Sequence, residues 1–159
     1  MRNANEWRGR FIELVDGLHR ELSVVPPARN HDDESALVLS VQLDGTSFEL
    51  THEPSPCPER LMLECRLGHI GSATSHWSLE QLLYVNHELS HEAGAAFGAD
   101  LQSGEVIYGI CLSLAHMLPT SLVEQMKSIA NLATNWRDTM RLAARTFEDA
   151  QALGIAGRA

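Results

Sequence analysis

The order of hydrophobic patterns along the chain predicts an α+β fold, in which helices pack on a twisted antiparallel sheet. Three long stretches carry apolar residues at steps of three and four, which is the pattern of an amphipathic helix. Five shorter stretches, in which apolar residues alternate with polar or small ones, are typical of strands. The predicted order is helix, three strands, helix, two strands, helix. Because the strands come in groups, an antiparallel sheet is favoured over a parallel one.

Length and composition are those of a single folded domain. The chain has 159 residues, of which 44% are hydrophobic, and this is enough to bury a substantial core. We expect one domain over residues 1–150 and a flexible tail over residues 151–159.

The charge balance argues against nucleic acid and membranes as partners. Against 21 acidic residues there are 12 basic ones, which gives a net charge of −9, and Lys127 is the only lysine. Phosphate groups and anionic lipid surfaces require clustered cations. Cys57, Cys65 and Cys111 show no zinc-ligand spacing, and no stretch resembles a signal peptide or a membrane span. We therefore expect a cytoplasmic protein with reduced thiols and no cofactor.

The first half of the chain is predicted to form one helix and a three-stranded meander. Asn3 and Glu6 have the spacing of a helix cap, and the helix is expected over residues 4–22. The alternation from Leu37 to Leu43 predicts the first strand. Asp44-Gly45 is a hairpin signal of type I′, so a second strand follows, and a third is expected after a proline-rich loop.

The second half begins with a helix that Ser78 is predicted to cap and Gly94 to end. A short strand over residues 95–101 then leads into a turn at Ser103-Gly104.

The strand over residues 105–114 and the helix after it are expected to form the centre of the core. Both faces of this strand are apolar or small, which predicts a central strand covered on both sides. After Pro119, the pair Ser121 and Glu124 has the spacing of a capping box for the last helix.

One literal catalytic motif is present, an H-E-x-x-H at residues 87–91. His87 and His91 would lie on one helix face and could bind one zinc ion, with Glu88 as general base. The third ligand of the extended motif would fall on Phe97, which cannot bind a metal. The preferred interpretation is a solvated helix end without metal, and a zinc-dependent hydrolase or peptidase is the alternative.

The element order and three local segments resemble the class I type III secretion chaperones, the family that includes the chaperone of the Tir effector. The first segment is 36–45 after the first helix, the second is 96–104 with the following strand, and the third is 132–137 in the last helix. The resemblance covers most of residues 4–147, and the H-E-x-x-H is no part of the family pattern.

The resemblance implies a bacterial cytoplasmic homodimer without catalysis. Such a dimer binds the N-terminal segment of secreted effectors in extended form, keeps them soluble and presents them to the export apparatus and its ATPase. In the family the first helix and first strands form the client grooves, which implies effector contacts from these residues: Phe11, Ile12, Val15, Leu39, Val41, Phe48 and Met62. The second helix and late strands form the dimer seam, which implies a second set: Leu82, Leu83, Asn86, Ile107, Gly109 and Cys111.

Three functions are therefore weighed. An export chaperone should act without metal and tolerate His87→Ala, whereas a zinc hydrolase should hold stoichiometric zinc and lose activity on Glu88→Gln. A dimeric adaptor of the same fold would capture a regulator or a component of the export machinery instead of an effector.

Overall fold

The computed structural model describes residues 3–26, 35–69, 75–90, 94–100 and 102–139. The elements in chain order are α1 (Ala4–Glu21), β1 (Leu37–Leu43), β2 (Thr46–His52), β3 (Arg60–His69), α2 (Ser75–Ser90), β4 (Ala95–Ala99), β5 (Glu105–Ser113) and α3 (Pro119–Thr139). The five strands form one antiparallel sheet in the order β1-β2-β3-β5-β4. The predicted α+β class and element order are confirmed.

The core lies between one face of the sheet and the helices. The register places one row of buried side chains straight across all five strands: Leu39, Leu50, Leu63, Ile110 and Ala95. The apolar stripe of α3 packs over β3, and α1 packs beside it on α3. Trp136 is fully buried in this layer, as the spacing of its helix predicted.

Two local signals act as the sequence predicts. The Asn3 side chain accepts a hydrogen bond from the Glu6 amide at 2.9 Å, and the Glu6 carboxylate accepts one from the Asn3 amide at 3.2 Å. This reciprocal capping box satisfies two backbone donors that the first turn of α1 would otherwise leave unpaired. Asp44 and Gly45 both have positive φ, 49° and 73°, as a type I′ hairpin turn between β1 and β2 requires.

Several predicted boundaries shift. Helix α2 begins at Ser75 rather than after Ser78, and α3 begins at Pro119, so that Ser121 lies inside the helix rather than at its cap. Proline suits the first helical position because its fixed φ is already helical and its missing N–H would be unpaired there in any case. Strand β4 ends at Ala99.

The expectation that the strand over residues 105–114 is covered on both faces is wrong for the described part of the chain. Strand β5 does lie inside the sheet, between β3 and β4. Its Val106, Tyr108 and Ile110 side chains face the helices and are buried, whereas Ile107 and Cys111 on the opposite face are only half-buried. When both faces of a strand are apolar, the sequence alone does not tell whether the same chain covers the second face or leaves it open.

None of the described helices combines the length and apolar content that a membrane span needs. The predicted flexible tail, residues 151–159, lies outside the described residues.

Candidate functional site

The sheet face opposite the helices has exposed or half-buried side chains along its strands, and we call it the open face. Because residues directly opposite one another on paired strands point to the same side, the register gives its layout. One cross-strand row, which we call the apolar row, contains Val38, Thr51, Met62 and Cys111. The next row, which we call the acidic row, contains Ser40, Glu49, Glu64, Gly109 and Ala96.

The open face carries exposed apolar side chains that the helical face does not. Val38 is 50% exposed and Met62 is 39% exposed, although both sit within regular strands. Two shallow depressions flank them, of about 300 Å³ and about 440 Å³, and Glu64 lines both. A strand face with this mixture of apolar and acidic groups is suited to contact with another polypeptide.

The wall of the larger depression is held in place by a buried histidine. His52, at the end of β2, donates a hydrogen bond from Nε2 to the Pro58 carbonyl oxygen at 2.8 Å and stacks on Phe11 of α1, with ring centroids 5.2 Å apart. Burial, together with the nearby positive charge of Arg8, lowers the pKa of His52 despite that backbone bond. The neutral imidazole therefore ties the proline-rich loop, which lines the depression, to the core.

The opposite end of the open face is fixed by a small ion-pair network. The Arg66 guanidinium lies 2.8 Å from the Glu105 carboxylate and 3.5 Å from that of Asp100. The pKa of Arg66 is raised mainly by its hydrogen bond to Glu105, and the pKa of Asp100 is lowered mainly by the backbone amides of Gln102 and Ser103. These contacts join β3 to the turn between β4 and β5.

The two edges of the sheet differ in how they are covered. Asn86 of α2 donates its amide N–H to the Phe97 carbonyl oxygen at 2.8 Å and accepts the Phe97 amide N–H at 2.7 Å. This pair of bonds satisfies the outward-facing backbone groups of Phe97 and lays α2 against that edge. On the other edge, no strand of the described chain pairs with the outer side of β1.

The residues that the resemblance assigns to client contact are mostly core residues in the isolated chain. Five of them are less than a tenth exposed: Phe11, Val15, Leu39, Val41 and Phe48. A client could reach these side chains only if the helical layer moved, so their role in binding stays a prediction. Ile12 is half-buried beside the core, and Met62 stands on the open face.

The residues assigned to the dimer seam divide into two groups. Leu82 is buried in the core and Asn86 is bonded to β4, so both contact their own chain. Leu83 is 70% exposed on the outer side of α2. It has exposed apolar neighbours on the same helix, Leu79 and Tyr84. On β5, Ile107, Gly109 and Cys111 are half-buried on the open face, and their place in a seam stays a prediction.

The structure describes only part of the H-E-x-x-H motif. His87 and Glu88 are exposed on the last turns of α2, and His91 lies outside the described residues. Among the residues described, no group of three or more histidine, cysteine or acidic side chains is arranged to hold a metal ion.

Sequence reasoning missed the acidic row, because Glu49 and Glu64 are fifteen positions apart and only the register of β2 with β3 brings them together. The available signal was the strict alternation along β3, where Met62, Glu64 and Arg66 all fall on the face opposite the leucines.

Comparisons with known proteins agree on one family and one fold. The model of the Tir chaperone protein (CesT) family matches residues 13–137. A comparison with curated protein sequences finds no significant match.

Among solved structures, a chain of the ExsC–ExsE complex has a TM-score of 0.64 at 18% identity and covers 86% of this chain and 97% of its own. A chain of the HopA1–SchA chaperone–effector complex has a TM-score of 0.58 at 22% identity, and the match covers 82% of this chain and 94% of that one. A chain of the ExoT–SpcS complex from Pseudomonas aeruginosa has a TM-score of 0.51 at 21% identity, and the match covers 79% of this chain and 96% of that one. At these identities the likeness shows a shared fold.

Proposed function

The chain belongs to the Tir chaperone protein (CesT) family, and on that premise we propose that it is a cytoplasmic type III secretion chaperone. It binds the N-terminal segment of secreted effector proteins in extended form, keeps them soluble and delivers them to the export apparatus and its ATPase. The structural neighbour taken from a complex of a chaperone with an effector supports this class of client. The role is one of binding, without a catalytic step.

The open face is the observation that carries the proposal. An extended client presents side chains alternately to two sides, and a pleated sheet face with exposed Val38 and Met62 accepts one of those sides as apolar anchors. The unpaired outer side of β1 offers backbone donors and acceptors to a further stretch of the client, because a strand added at that edge lies beside β1 in the plane of the sheet and not over Met62. The β4 edge is partly covered by α2, whose Asn86 side chain bonds both backbone groups of Phe97, so strand addition is favoured at β1.

The second part of the proposal is a homodimer formed through α2. Leu79 and Leu83 are four residues apart and share a helix face, and Tyr84 extends the exposed apolar area beside them. A helix that is anchored to its own β4 by Asn86 presents this face rigidly to a second copy.

The proposal is tested by capturing partners in the native host. The tagged chain is recovered under secretion-inducing conditions, and the bound proteins are identified by mass spectrometry. We expect secreted proteins that are retained through their N-terminal region, so that versions lacking this region are lost. Recovery of a regulator or an export component without any secreted protein would instead support an adaptor of the same fold.

A matched pair of variants links capture to the open face. Met62→Gln removes an exposed apolar contact without a change of size or charge, and Leu118→Gln makes the same kind of change at the start of α3. Loss of the burial of one such side chain costs about 1–2 kcal/mol, so we expect roughly 5–30-fold weaker retention for Met62→Gln alone. Equal retention by both variants would place the client elsewhere.

A further inference from the structure

Two glutamates face each other across the centre of the open face. Glu49 on β2 and Glu64 on β3 are direct partners in the register, so their side chains leave the sheet side by side. Both are half-buried, which weakens the screening of their charges by water. Like charges directly opposite each other on paired strands are destabilising, so this pair costs the free chain stability.

The two arginines of β3 on the same face as Glu64 are engaged by other carboxylates. Arg66 forms its ion pairs with Glu105 and Asp100 at 2.8 and 3.5 Å, and Arg60 approaches Glu59 at 3.9 Å. In the ranges of the chain that the structure describes, neither Glu49 nor Glu64 has a basic group within ion-pair distance. No direct ion pair within the described chain therefore neutralises either carboxylate.

The shape around the pair leaves room for a long side chain. Along the acidic row the neighbours are small, with Ser40 on β1 and Gly109 on β5. A Cβ added at Gly109 would lie only 3.7 Å from Cγ of Glu64, so the missing side chain leaves the flank of that glutamate open. The depressions on either side of Glu64 extend this space along the strands.

We propose that Glu49 and Glu64 receive an arginine or lysine of an extended client segment, whose neighbouring apolar side chain seats on Val38 and Met62. The inference rests on the proposed function and adds the chemical class of client. Charge complementarity selects this occupant, because a cation placed between the two carboxylates relieves their mutual repulsion. The aliphatic stem of arginine or lysine also suits the apolar border of the row.

The spacing of the rows predicts the sequence pattern of the client. The apolar row and the acidic row are two residues apart on every strand, which is about 6.5–7 Å. Alternate residues of an extended segment have the same spacing and point to the same side. A segment that lies along the strands should therefore carry its apolar and basic residues at positions i and i+2.

The test uses fluorescein-labelled synthetic peptides and fluorescence anisotropy with the full chain. One peptide places leucine and arginine at i and i+2 on a serine background, and a second has the same composition with leucine and arginine at i and i+1. A third peptide replaces arginine by glutamine at i+2. We expect the first peptide to bind about 3–10-fold more tightly than either control, as suits one partly desolvated ion pair. The preference should shrink as salt is raised.

Glutamine variants assign the preference to the acidic row. Glu49→Gln and Glu64→Gln should each remove most of the preference for the arginine peptide over the glutamine peptide, while Glu124→Gln, on the exposed side of α3, should leave it intact. The first two variants should also raise Tm, because they relieve the like-charge pair. If these carboxylates instead stabilised the fold, each glutamine substitution would lower Tm.

Each contrary outcome has a definite meaning. No peptide binding, no preference between the peptides, or a preference that survives Glu64→Gln would overturn the basic-anchor inference. Host capture of secreted proteins would still stand in that case, so failure here is distinguishable from failure of the chaperone proposal. Conversely, a peptide preference that depends on Glu64 would uphold the acidic row even if no effector is captured.

Discussion

The packing of α1 on α3 depends on a glycine, and this gives the most quantitative stability prediction. Gly17 is buried near the C-terminal end of α1, where a Cβ would lie 2.4 Å from Cγ and 3.0 Å from Cβ of Pro119. The proline ring cannot rotate away, and Pro119 is also the first residue of α3. Gly17→Ala must therefore push the two helices apart.

A second glycine in the same helix isolates this effect. Gly9 is exposed and has no atom within 4 Å of an added Cβ, so Gly9→Ala changes only helix propensity. That change should stabilise the chain by about 0.5–1 kcal/mol. Gly17→Ala gains the same amount and loses about 1–3 kcal/mol through overpacking. The difference between the variants, in which propensity cancels, is therefore about 1–3 kcal/mol.

The assay is urea unfolding followed by circular dichroism, at one protein concentration because dimerisation would couple to unfolding. We expect Gly9→Ala to raise the midpoint and Gly17→Ala to lower it, with unchanged slopes. In thermal unfolding the Tm values of the two variants should differ by about 2–12 °C, because each kcal/mol shifts the Tm of a chain of this size by about 2–4 °C. Equal midpoints, or stabilisation by Gly17→Ala, would refute the close approach of α1 and α3.

The remaining predictions concern buried groups and the dimer. Burial lowers the pKa of His52 below 6.5, so below that pH the folded chain binds fewer protons than the unfolded chain. The contribution of His52 to stability should therefore be complete above pH 6.5 and should fall as the pH drops below it. His52→Phe should flatten this pH dependence, as urea unfolding midpoints recorded from about pH 7 to about pH 5 would show. Burial raises the pKa of Cys65 to about 12, so at pH 8 iodoacetamide should modify the exposed Cys57 and leave Cys65 intact until urea unfolds the chain, as peptide mass spectrometry would show. Leu83→Asp should weaken a homodimer by at least tenfold in sedimentation equilibrium, because a two-fold axis repeats the change, whereas Val25→Asp at a site that is also exposed should not.

The sequence was sufficient for the fold because its local signals agree with its hydrophobic periods. The Asn3 capping box, the Asp44-Gly45 turn and the alternation in β1 and β3 each specify an element without help from distant residues. Helix starts were harder to place, since serines in the first turn of α2 and α3 resemble caps.

The binding surfaces were less accessible from sequence, because burial is decided by distant parts of the chain. The apolar residues of α1 predicted a second apolar stripe that would contact a client, yet Phe11 and Val15 are both buried in the core. Asn86 is placed within a helix pattern, and only the fold shows that its amide bonds the Phe97 backbone at the β4 edge. The pairing of Glu49 with Glu64 likewise follows from register, which no local pattern specifies.

The most direct test of the central claim is photo-crosslinking from the open face in the native host. A photo-reactive amino acid is placed at Met62, and at Leu118 as a control that is more exposed, and the crosslinked peptides are identified by mass spectrometry. We predict that crosslinks from Met62 map to the N-terminal segments of secreted proteins and that Leu118 gives few of them. Crosslinks from Met62 that reach only a second copy of the chain, or client crosslinks that are equally frequent from Leu118, would contradict the assignment of the open face to client binding.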